Sequence, residues 1–147
     1  MGGGCGLAIA CDMRIAAPDA RLGITPAKLG IIYSLFDTKL LVDLIGPARA
    51  KRILFTGDLM QSDDALRIGL VDELAEDPMA AAKVLADTIA ERAQHSVRAS
   101  KAIIRRILDG QSDDDAQTLT QFTDAFVRPD FLEGVTAFRE KRPPRFL

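Results

Sequence analysis

The chain opens on backbone amides with almost no side chains above them: Met1-Gly2-Gly3-Gly4-Cys5-Gly6 carries four glycines in six residues. Glycine costs conformational entropy, so such a run makes sense where another segment or a ligand comes close to the main chain. Two thiols follow, Cys5 and Cys11. On a helix this spacing turns them about 240° apart, which suits neither a bridge nor a shared metal. The single histidine, His95, completes no zinc set, so no metal is expected. The thiols read as small buried groups. His95 stands ahead of a helix start and reads as a surface residue without chemistry. Arg98, Lys101 and Arg105 share one helix face, better read as solvated than as an anion clamp.

Bulk composition narrows the field. The 147 residues are 48% apolar and 27% charged, which fits an ordinary globular chain. A net charge of -2 argues against a nucleic-acid protein but leaves room for an anionic small ligand. No run approaches the ~18 apolar residues of a membrane span, and no basic leader precedes Leu7-Ala8-Ile9-Ala10. A cytoplasmic protein with no membrane or nucleic-acid partner is expected.

The elements that must position these residues are legible in outline. Leu7 to Cys11 reads as a short buried helix, Asp12 to Ala17 as a strand, and Ala20 to Ile24 as a second extended piece beyond the Pro18-Asp19 turn. Ser34 and Asp37 form a capping box ahead of a helix with Leu40, Leu41, Leu44 and Ile45 inward. Gly46-Pro47 ends that helix and opens the next, which Gly57 stops. Ser62 to Gly69 is helical and Leu70-Val71 extended. Asp77-Pro78 starts a helix to Ala93, and Ser96 to Asp109 forms another with Ile103, Ile104, Ile107 and Leu108 inward. Ser112 is expected to cap a helix with Asp113, Asp114 and Asp115 in its first turn and Leu119, Phe122 and Phe126 on its apolar face. Asp130 and Glu133 form a last capping pair, and Val135 and Phe138 anchor the tail.

Three ordered motifs carry a family resemblance over the whole chain. Gly2-Gly3-Gly4-Cys5-Gly6-Leu7-Ala8-Ile9-Ala10-Cys11-Asp12-Met13-Arg14-Ile15-Ala16 resembles the G-G-G-x-x-L-A-x-x-C-D-x-R-I-A signature of the crotonase superfamily, the enoyl-CoA hydratase/isomerase family. Thr56-Gly57-Asp58 and Gly69-Leu70-Val71-Asp72 are similar to its T-G and G-L-V landmarks. Glu133-Gly134-Val135-Thr136-Ala137-Phe138-Arg139-Glu140-Lys141-Arg142-Pro143 is similar to its tail.

The resemblance implies an α/β protein of the crotonase (ClpP-like) spiral fold, truncated, with few short strands and a mostly helical C-terminal half. Residues 1–33 would end the core sheet and hold the glycine motif. Residues 34–147 would be helical and include trimerisation and lid helices. It implies an acyl-CoA substrate in fatty-acid-type metabolism, no cofactor beyond the substrate's CoA, and a homo-oligomer, trimer or hexamer. An amide of the glycine triplet, here that of Gly3, would donate to the thioester oxygen. A helix start favours negative charge there, and such donors contribute about 3–4 kcal/mol.

This sequence departs from the family pattern where that pattern supplies acids. Hydratases of the family place a Glu two residues after the triplet, where Gly6 stands, and a second in G-x-P-E, where Gly23-Ile24-Thr25-Pro26-Ala27 puts Ala27. Neither residue moves protons, so hydration by two acids is not expected. Thr25-Pro26 through Leu29-Gly30 to Tyr33 is similar instead to the methylmalonyl-CoA decarboxylase branch, in which the matching Thr25 and Tyr33 line the acyl pocket. Tyr33 also reads as a boundary aromatic ahead of a helix cap. Lys141 matches a lysine that reaches CoA phosphates, and Phe122 an aromatic near the adenine, though Phe122 fits equally as a core residue.

Two or three short strands before about six helices leave sheet edges unpaired, so upstream strands are expected. An acyl-CoA lyase or isomerase and an inactive fragment that only associates with intact relatives are the two expectations.

Overall fold

The computed structural model describes residues 2–146. The chain divides into two compact units, residues 1–82 and 83–147. In the first, α1 (Gly3–Ala10) leads to β1 (Ile15–Ala16), β2 (Arg21–Leu22), α2 (Pro26–Leu29), α3 (Leu35–Ile45), α4 (Pro47–Thr56), β3 (Met60–Gln61), α5 (Ser62–Arg67) and β4 (Glu73–Leu74). α6 (Pro78–Ala90) crosses the division, and α7 (Gln94–Leu108), α8 (Ala116–Ala125) and α9 (Pro129–Glu140) build the second unit. Among the described residues, no helix is long and apolar enough to cross a membrane.

The core of the first unit gathers Cys5 and Ile9 from α1 with Ile24, Leu41, Ile45, Ala50, Ile53, Ala65, Leu70 and Val71. α1 packs on α3, α3 on α4, and α2 on α4. The strands pair as two short ladders. β1 lies parallel to β4 with Ile15 beside Glu73, and β2 antiparallel to β3 with Leu22 beside Met60.

Local chemistry explains the helix boundaries. The Ser34 hydroxyl accepts from the Asp37 amide at 3.0 Å and donates to its carboxylate at 2.6 Å, starting α3. Asp77 accepts from the Ala80 amide at 3.0 Å at the head of α6. Pro47 takes the first turn of α4, and Gly57, at φ 63°, ends it in the left-handed conformation that glycine adopts without strain.

Several sequence expectations are corrected. The glycines do not precede the first helix but form its first turns, and only Cys5 and Ile9 of it are buried. Cys11, expected to be buried, is exposed. The two strands shrink to two residues each, because that is where a partner is in register. Leu70-Val71 is a buried bend, and the ladder starts at Glu73. α2 arises from a Thr-Pro start that the hydrophobic pattern did not reveal, since it has no buried residue. Asp115, not Ser112, caps α8, because its carboxylate and the Thr118 side chain satisfy each other's backbone amides at 2.8 and 2.9 Å. Arg128 occupies the N-cap of α9. Ile103, Ile104, Ile107, Leu108, Leu119, Phe122 and Phe126 are solvent-exposed rather than inward, and Phe138 is 83% exposed rather than an anchor.

Candidate functional site

α1 begins where only glycine can turn the chain. Gly2 stands at φ 56°, ψ -125°, a conformation closed to side-chain-bearing residues. Its amide donates to Gly23 O at 3.1 Å, which ties the helix start to the end of β2. The first intrahelical bonds are those of the Cys5 and Gly6 amides to Gly2 O, at 3.0 and 3.2 Å. The Gly3 and Gly4 amides fall in the first turn, whose N–H groups have no acceptor within the helix. Both residues are exposed, and a Cβ built on either meets nothing within 4 Å. An acceptor oxygen can therefore approach these amides at the positive end of the helix dipole.

Tyr33 is brought to the same helix. It leaves the loop after α2, packs half-buried against the core cluster, and sets its hydroxyl beside Gly6. A Cβ on Gly6 would lie 2.8 Å from that oxygen. Burial, then the charges of Asp37 and Cys5, raise the phenol above its ordinary value, so it is a neutral donor at physiological pH. Burial likewise pushes up the Cys5 thiol, partly offset by the Gly23 backbone, which leaves it a packing group rather than a nucleophile.

Thr25 caps α2 through its backbone: its carbonyl accepts from the Lys28 amide at 3.0 Å, while its side chain makes no capping bond. Ala27 is exposed one residue into that helix. Lys141 and Phe122 belong to the second unit. Lys141 ends α9 at φ 54°, the one non-glycine residue in the left-handed region among the described residues. Exposed Phe122 meets Phe126 edge-to-face, with ring centroids 5.2 Å apart. His95 lines a cavity of about 490 Å³ within this unit, together with Phe126, Phe131 and Phe138.

Two residues that sequence reasoning passed over hold the site in place. A Cβ on buried Gly23 would lie 2.7 Å from Leu59 Cδ2 and 2.8 Å from Asp58 O, so β3's approach depends on glycine there. A glycine within an extended stretch is the signal that could have found it. Arg14 is buried. Its guanidinium donates to Leu70 O at 3.0 Å, Cys11 O at 2.8 Å and Asp72 Oδ2 at 2.9 Å. The two landmark segments are thus partners in space: Arg14 joins the glycine motif to Gly69-Leu70-Val71-Asp72. Lys28 also pairs with Asp58 at 2.7 Å and lies against Gly57.

Comparison with known proteins gives the family. The family model for enoyl-CoA hydratase/isomerase matches residues 1–147. The chain is 39% identical over 153 residues to the crotonyl-CoA hydratase of Syntrophomonas wolfei, covering 100% of this chain and 58% of that protein. It is 38% identical over 147 residues to the short-chain-enoyl-CoA hydratase of Clostridium acetobutylicum, covering 97% of this chain and 56% of that one. Among solved structures, an enoyl-CoA hydratase/isomerase family protein from Hyphomonas neptunium matches with a TM-score of 0.94 at 42% identity, over 99% of this chain and 56% of that chain. The chain spans a little over half the length of these relatives.

Proposed function

The chain belongs to the enoyl-CoA hydratase/isomerase family, and its part of the crotonase fold is α/β with a mostly helical second half; from this premise we propose that it acts on an acyl-CoA thioester through an enolate stabilised at the start of α1. The observation that carries this reading is the open first turn: the Gly3 amide has no acceptor within the helix, and a Cβ built on Gly3 meets nothing within 4 Å. A thioester oxygen there accepts from Gly3 N–H and gains from the helix dipole as charge develops on it. Thr25 and Tyr33 line the acyl side. By the family resemblance, Lys141 and Phe122 of the second unit are assigned to the CoA phosphate and adenine, the lysine often serving a neighbouring subunit. The substrate's own CoA is the only cofactor.

No carboxylate stands at position 6 or 27, so the reaction is not hydration by a pair of acids. A decarboxylase-type lyase is the second reading, favoured by the Tyr33 hydroxyl beside Gly6. Losing carbon dioxide leaves the electron pair on an enolate, which needs an oxyanion donor but no strong base. The working form is a homo-oligomer, trimer or hexamer. Exposed Ile32 and Leu35 in the first unit and Phe138 in the second support association with further polypeptide.

Titration calorimetry with acetoacetyl-CoA tests the acyl-CoA reading. Gly3→Ala should not lower the thermal midpoint, since the added methyl meets nothing and alanine is the better helix former. The same methyl stands in the approach to the amide, and affinity should fall about tenfold or more. Equal affinity in both proteins removes the Gly3 amide from the site.

A further inference from the structure

Three helices of the second unit bring polar side chains to a concavity that the acyl-CoA reading leaves unused. A cavity of about 330 Å³ is lined by Gln94, His95 and Arg98 of α7, Gln121 of α8, Arg128 at the N-cap of α9 and Asp130 in its first turn. Other arginines of this unit end on carboxylates: Arg105 on Asp109 at 2.7 Å, Arg106 on Asp115 at 2.9 Å and Arg142 on Glu133 at 2.6 Å. Arg98 and Arg128 differ. Neither side chain makes a hydrogen bond or ion pair among the described residues. Arg98 thus parts from Arg105, with which it shares a helix face.

Both groups are exposed, so water solvates them where they stand. Their convergence is the informative feature. The lining sets two guanidinium charges against one carboxylate, Asp130, which pairs with neither. One positive charge is left over at this place, in a chain whose net charge is -2. A guanidinium presents its N–H groups as a planar fork that matches two oxygens of one anion. Two forks from different helices call for a ligand with more than one such pair of oxygens. A tetrahedral oxyanion has them, whereas a planar carboxylate offers a single edge. The Gln94 amide nitrogen is engaged with the Ile89 and Arg92 carbonyls, both at 2.9 Å, which fixes the rim. The Gln121 amide makes no such bond and remains a donor.

We propose that this cavity is a binding site for a phosphate group, as the inorganic ion or a phosphate monoester, held by Arg98 and Arg128 with Gln121 and His95 beside them. None of Gly3, Thr25, Tyr33, Phe122 and Lys141 lines it. It is a second site, and it does not depend on the acyl-CoA reading.

His95 is the only histidine, so its ring proton resonances report on the cavity without overlap. Inorganic phosphate, titrated into the full chain at constant pH and ionic strength, should shift them saturably, whereas acetate should not. Arg98→Gln and Arg128→Gln should each weaken phosphate about tenfold, the effect of losing a charge-assisted hydrogen bond. Neither change should lower the thermal midpoint, since neither side chain has a partner to lose. Arg105→Gln, outside the lining, should leave phosphate affinity as it was. Glycerol 3-phosphate separates the sources: tighter binding than inorganic phosphate supports a monoester, and weaker binding the free ion. The absence of a saturable shift, or undiminished affinity in both Arg98→Gln and Arg128→Gln, overturns the site. An equal response to acetate overturns the phosphate class. Displacement of phosphate by coenzyme A overturns its separateness from the substrate's site.

Discussion

Tyr33 is the only tyrosine of the chain, which has no tryptophan, so its ionisation can be followed without interference. Burial, Asp37 and Cys5 all oppose the phenolate. The near-ultraviolet phenolate band should therefore titrate above the ordinary midpoint of about 10. The linkage sign follows: the unfolded chain loses this proton first, so the contribution to stability is full below about pH 10 and declines as pH rises towards the folded value. A titration at or below the ordinary midpoint would contradict the environment described for Tyr33. Glu133 behaves in the opposite sense. Two hydrogen bonds from Arg142, at 2.6 and 3.0 Å, and one from the Arg145 amide at 2.7 Å pull its carboxyl down to about 2. Its contribution is present above about pH 4.5 and is lost as pH falls towards 2. Glu133→Gln should flatten the acid limb of a plot of thermal midpoint against pH in that window. With no acid at position 6 or 27, crotonyl-CoA should be hydrated at the background rate, as followed by loss of enoyl absorbance.

At the scale of elements, the glycine helix is held from outside itself. Gly23→Ala would drive a methyl into Leu59 and Asp58 O, while Gly23 O is the acceptor that fixes Gly2. We expect a loss of about 1–3 kcal/mol in chemical denaturation, with weaker acetoacetyl-CoA binding if the helix start shifts. Arg14→Ala would strand the carbonyls of Leu70 and Cys11 and unpair Asp72, for about 2–4 kcal/mol. Helices with local start and stop chemistry were legible in the sequence: Ser34 with Asp37, Asp77 with Pro78, Pro47 and Gly57. Each of these signals lies within a few residues of its effect. Strand limits were not legible, because a two-residue ladder is set by a partner far along the chain, as Ile15 is by Glu73. Arg14 and Gly23 escaped for the same reason. Their contacts, Asp72 and Leu59, are distant in sequence. The glycine amides and Tyr33 were singled out from the motif, but their meeting at Gly6 needed coordinates.

For the whole molecule, the apolar faces of α7 and α8 were drawn inward because periodicity reports which side is apolar, not what covers it. Ile104, Ile107 and Phe122 stand in solvent. Sedimentation should show species larger than the 15.9 kDa chain, and Leu35→Lys, at an 88% exposed position, should shift the distribution towards the monomer without lowering the thermal midpoint. An unchanged distribution would exclude this patch from the assembly.

The parallel ladder of β1 and β4 joins residues near the two ends of the first unit, and everything from β2 to α5 is the crossover between them. Closing so long a loop carries an entropic cost that the ladder shares with the core packed around it. The first unit should consequently lack a half-melted state: its opening helix and its closing strand are expected to lose amide-exchange protection together, in one cooperative event.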